Sequence, residues 1–297
     1  MGTIIQATAV DSESAPTPSV ECSARAAARC LATAGLQKAD VELIINTGVY
    51  RERNIGEPAL ATLIQKQLGA NVDPILGPQS SRTFSFDLLN GPGAFLNAIE
   101  VAGAMLKNRR FKNALIVAND VHPSVKSVPG FPFAQVGSAV LLKHTDDENE
   151  GFKKLAFKTT AETDLGFRSY VNLRDAGRDA RHVVTIEMDE GYVKRLKEFV
   201  AKTADELLRS HAGNGSAVTH ILCSLPTPSF GHEVAEALSL PPERVASRYE
   251  DFADAHSSSL AASYHTAKSR QVFRRGDKIL FISAGAGLTC GCGLYYV

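Results

Sequence analysis

The chain has 297 residues, 44% hydrophobic and 22% charged, with 32 basic and 32 acidic side chains and no net charge. That balance leaves no basic stripe for nucleic acid, and no apolar run approaches the roughly 20 residues of a membrane span. The first residues lack a charged start and an apolar stretch, so no signal peptide is read and a cytoplasmic protein is expected. The five cysteines have no metal spacing and read as reduced packing residues. No metal or cofactor is expected.

Taken in order, the pattern predicts a strand over 3–10, a helix over 19–34, a strand over 41–47 and a helix over 57–68. A strand over 83–87, a helix over 93–107 and strands over 114–118 and 138–143 complete a first half, 1–146. The polar stretch 145–151 reads as a hinge. The second half, 152–297, is expected to hold a strand over 155–160, an irregular insert over 164–181 and a helix over 191–211. A strand over 219–224, helices over 231–238 and 257–271, and strands over 278–283 and 290–297 follow. Continuous apolar strands such as Glu42-Leu43-Ile44-Ile45 and Ile279-Leu280-Phe281-Ile282 suit sheets covered on both faces. The order of elements repeats between halves although the sequence does not, which gives an α/β layered protein of two similar halves.

The segments 87–95, 188–193 and 285–291, with Gly91-Pro92-Gly93, Met188-Asp189-Glu190-Gly191 and Gly285-Ala286-Gly287 at their hearts, together resemble the β-ketoacyl-ACP synthase III family of the thiolase superfamily. Asp87-Leu88-Leu89-Asn90-Gly91-Pro92-Gly93-Ala94-Phe95 is similar to the family's nucleophile turn, with Pro92 where the family has Cys. Met188-Asp189-Glu190-Gly191-Tyr192-Val193 resembles the start of its long second-half helix. Gly285-Ala286-Gly287-Leu288-Thr289-Cys290-Gly291 resembles its C-terminal glycine-rich segment. The resemblance covers nearly the whole chain and implies the thiolase fold, five layers in the order αβαβα, with acyltransferase chemistry on acyl thioesters or acyl carrier protein. It also implies a dimer, either a homodimer or a heterodimer with an intact condensing enzyme.

The catalytic positions carried over by resemblance depart from Cys-His-Asn. Pro92 has neither a thiol nor a backbone N–H for an oxyanion. The histidine position falls on Ser224. The asparagine position falls on Asp254, or on His256 if the register shifts by two. Gly287 is matched to the glycine that lends an oxyanion N–H. The segment 11–18 is short and the chain has no Trp, so the family's stacking of the coenzyme A nucleotide is not expected. Condensation by this chain alone is therefore not expected, and a non-catalytic or accessory subunit in fatty-acyl or polyketide-type biosynthesis is the first reading. A second is an acyltransferase or hydrolase redeployed on Ser224, His256 and Asp254, which hold the types of a nucleophile, base and orienter. A third is a module that binds an acyl chain or carrier arm. Each residue also has a plainer role. Pro92 suits the first position of a helix, Ser224 a strand-end turn, and Asp254 and His256 the start of the helix at Ser257-Ser258-Ser259.

Overall fold

The computed structural model describes residues 2–12, 16–72, 82–160, 166–211 and 218–297. The expected segments 11–18 and 164–181 run partly over 13–15 and 164–165, which lie outside the described residues.

Alternation along the strands builds the layers. In β2 (Leu43–Asn46), Leu43 and Ile45 face one core while Ile44 faces another. In β10 (Lys278–Gly285), Ile279 and Phe281 share the core of Leu43, while Leu280 and Ile282 turn to a third. A strand buried on both faces must be sandwiched, because successive side chains point to opposite sides.

The first sheet runs β1-β5-β4-β2-β3, with β1 at Gly2–Asp11, β3 at Phe84–Asp87, β4 at Ala114–Ala118 and β5 at Gly137–Thr145. The second runs β6-β11-β10-β9, with β6 at Gly151–Thr159, β9 at His220–Cys223 and β11 at Thr289–Tyr296. Helices α1 (Ser19–Ala34) and α2 (Leu60–Leu68) cover the outer face of the first sheet. Helix α5 (Tyr192–Ser210) and α6 (Phe230–Ala237) cover the outer face of the second. Between the sheets lie α3 (Ala94–Lys107) and α8 (Ser259–Ser269), whose apolar residues share one core with both. The layer order is thus αβαβα, as expected.

The halves match strand for strand with one exception. Among the described residues, the position beside β9 that β3 fills in the first sheet holds only an isolated bridge, Ile221 to Val245. The insert expected to be irregular contains β7 (Phe167–Tyr170) and α4 (Leu173–Ala176). Together β7 and β8 (Thr185–Met188) form a two-stranded antiparallel ribbon. A short turn, α7 (Tyr249–Phe252), was not expected either. Where α3 begins, Gly91–Gly93 forms a 3-10 turn with Pro92 buried in it. This turn packs against a second 3-10 turn, His256–Ser258, that leads into α8.

Candidate active site

The two turns meet at a cavity of about 90 Å³, walled by Pro92, Phe133, Tyr192, Asp254, His256 and Gly285 among others. Phe167, Ile186 and Met188 of the β7–β8 ribbon close one side, so the unexpected element shapes the site. Of the candidates from sequence, Pro92, Asp254 and His256 come together here. Ser224 and Gly287 do not line the cavity, whereas Gly285 and Ala286 do. The Ser224 hydroxyl is buried and accepts the Ala284 N–H at 2.8 Å.

The dominant feature is a residue that sequence reasoning missed. His256 Nδ1 lies 3.0 Å from Oδ2 of Asp120, and both side chains are buried. Asp120 follows the all-apolar strand β4. Its Oδ1 accepts the N–H groups of Val49 at 2.8 Å and Tyr50 at 2.7 Å. Its Oδ2 also accepts the Ser257 N–H at 3.0 Å and the Ser257 hydroxyl at 2.5 Å. The loop after β2 can come this close because residue 48 is glycine: a Cβ there would stand 2.3 Å from the Asn119 carbonyl oxygen. An acidic residue just past a fully apolar strand was the available clue, since a buried carboxylate needs donors.

Burial by itself would raise Asp120, but His256, Ser257 and the Tyr50 amide outweigh it and hold the carboxyl below its ordinary range. Burial by itself would lower His256, but the carboxylates of Asp120 and Asp254 outweigh it and raise the imidazole above its ordinary value. An ionised Asp120 can only accept, so Nδ1 carries a proton, and a neutral His256 has its lone pair on Nε2. Nε2 faces Gly91: a Cβ on that glycine would be 3.3 Å away. The Phe133 ring lies over the imidazole at 4.2 Å between centroids, and Tyr50 flanks it at 5.4 Å.

Asp254 does not hold the imidazole. Its Oδ1 accepts the backbone N–H of His256 at 2.8 Å, and its own carboxyl is pushed up, chiefly by burial. Ala253 and His256 both have left-handed backbones, φ 53° and 45°. Two such non-glycine residues cost about 1 kcal/mol or more each, and strain of this kind collects at functional sites. The five cysteines are free and buried, and none lines the cavity. Burial pushes Cys22 and Cys30 up to about 12 and raises Cys223 further. Among the described residues no group of His, Cys, Asp and Glu could hold a metal ion, and no helix is long and apolar enough to cross a membrane.

Comparison with known proteins agrees with this architecture. Residues 208–297 match the family described as 3-oxoacyl-[acyl-carrier-protein (ACP)] synthase III C terminal. The chain is 22% identical to a β-ketoacyl-[acyl-carrier-protein] synthase III of Rickettsia bellii over 274 residues, covering 91% of this chain and 81% of that protein. It is 24% identical to one of Koribacter versatilis over 281 residues, covering 91% and 80%. In structure it is similar to 3-oxoacyl-[acyl-carrier-protein] synthase III of Aquifex aeolicus, with a TM-score of 0.82, 17% identity and 100% of both chains covered. It is equally similar in structure to a variant of Xanthomonas campestris OleA, with a TM-score of 0.82, 14% identity and coverage of 100% and 99%. Residues 208–297 therefore match the C-terminal model of that family, and the chain as a whole takes the thiolase-like α/β fold seen in 3-oxoacyl-ACP synthase III structures.

Proposed function

We propose that the chain is a non-condensing, synthase III-like accessory subunit. It receives an acyl thioester or the arm of an acyl carrier protein in the cavity over Pro92 and passes no acyl group through a residue of its own. The observation that carries this reading is Pro92 itself. It is buried in the turn ahead of α3 and forms the cavity floor, where its ring supplies neither a nucleophile nor an N–H. No thiol lines the space around it. Condensation through an acyl-enzyme needs an activated nucleophile beside a base, and here the base faces a proline turn.

The experiment is incubation of the purified chain with acetyl- or octanoyl-thioesters and malonyl-ACP. The expected result is no β-keto product and no acyl adduct by intact mass. Pro92→Cys is expected to leave condensation absent, because the position matched to the family histidine is Ser224, whose hydroxyl is bonded to Ala284. A β-keto product from the wild-type chain alone refutes the reading.

A further inference from the structure

We propose that Asp120 and His256 form a general base that activates water, giving the chain a hydrolase activity on short acyl thioesters held over Pro92. This rests on the reading above that the cavity receives an acyl thioester. The carboxylate fixes the tautomer. Nδ1 donates to Asp120 Oδ2 at 3.0 Å, which leaves Nε2 as the basic nitrogen. Nε2 accepts no hydrogen bond from a described residue and keeps access to the cavity. Its approach is open because residue 91 is glycine in a left-handed conformation, φ 50°. No cysteine, serine or threonine is among the described residues lining the cavity: Pro92 has no nucleophile, and the Ser224 hydroxyl, outside the lining, is bonded to Ala284. Water is the nucleophile that remains. The cavity, at about 90 Å³, admits several waters or a short acyl group. It is well below the roughly 300–1,000 Å³ of drug-sized sites.

In the step, His256 Nε2 takes a proton from water as the water oxygen bonds to the carbonyl carbon. The carbon–sulfur bond then breaks, and the leaving thiolate takes that proton from Nε2. Free acid and free thiol depart with no other reactant. Asp120 is a positioning residue: it holds the ring and stabilises the imidazolium formed midway.

The test uses acetyl- and octanoyl-N-acetylcysteamine, which lack the nucleotide. Thiol release, binding by calorimetry and the intact mass of the chain are followed together. The wild type is expected to release thiol from the acetyl probe above the buffer rate, and faster than from the octanoyl probe. His256→Ala is expected to lower that rate by about a hundredfold. Gly91→Ala, which puts a methyl 3.3 Å from Nε2, is expected to lower it at least about tenfold while the folded chain still binds thioester. Asp120→Asn is expected to slow release and to move the rising limb of the pH profile to lower pH, since the carboxylate that raises His256 is gone. A purely structural Asp120 would not move that limb. Binding without release above the buffer rate overturns the hydrolase alone, as do an active His256→Ala chain or an acyl adduct during turnover. Absence of binding overturns the accessory reading as well.

Discussion

At the scale of single residues, the Asp120–His256 pair links stability to pH. His256 is held above its ordinary value, so its contribution is complete below about pH 6.5 and fades as pH rises through its folded value. Asp120 is held below its ordinary value, so its contribution is complete above about pH 3.9 and is lost as pH falls through its folded value. Asp254 is pushed up by burial and works against the folded state as pH rises past its ordinary value. The pair therefore stabilises most between about pH 4 and 6.5. Urea unfolding of His256→Ala is expected to show a loss of about 3 kcal/mol in that window, because an uncompensated carboxylate stays buried. An equal loss at pH 6 and pH 9 would contradict the ion pair. Pro92, Asp254 and His256 were legible because each sits at a fixed offset from a recognisable turn or helix start. Asp120 was not, because its partner lies 136 residues away and only the fold brings them together.

At the scale of elements, α3 carries Ala94, Phe95, Leu96, Ala98, Ile99, Ala102 and Leu106 buried. These residues are covered within the chain, by both sheets and α8. Ala98→Asp would place a charge where there is no exposure at all. The expected result is loss of cooperative folding, a cost above about 4 kcal/mol, and not a folded monomer released from a dimer. Glu100→Ala on the exposed side of the same helix is expected to stay within about 0.5 kcal/mol of wild type in thermal unfolding. The helix α1 was legible to its ends because its apolar period stops at a glycine that caps it. The β7–β8 ribbon was not legible, because its residues are partly or fully exposed and leave no alternation to read.

At the scale of the whole molecule, β3 bonds to β2 on one side only among the described residues and stands there as the edge of the first sheet. Phe84 is 52% exposed and Leu89, just beyond the strand, 53%. Such an edge invites a second strand and is rarely left bare. If a dimer forms through it, Phe84→Asp is expected to move the chain from dimer toward monomer in sedimentation while its circular dichroism is unchanged. A wild-type chain that sediments as a monomer at micromolar concentration would refute that interface. The layered α/β order of two similar halves was readable from strand and helix order, and the count of five layers followed from the family resemblance. That the second sheet has four strands among the described residues was not readable, because the lone bridge beside β9 leaves no sequence period.

The proline turn also bears on how such a chain could change by descent. Proline codons cannot become cysteine codons by one base change. The shortest routes pass through serine or arginine. Position 92 is buried between His256 and the end of β10, where a guanidinium would have neither room nor a nearby water shell. Serine is the passable intermediate, and it would place a hydroxyl on the floor of a cavity whose base is already oriented. A lineage leaving Pro92 would thus meet an oxygen nucleophile before a sulfur one, and selection would act on that form first.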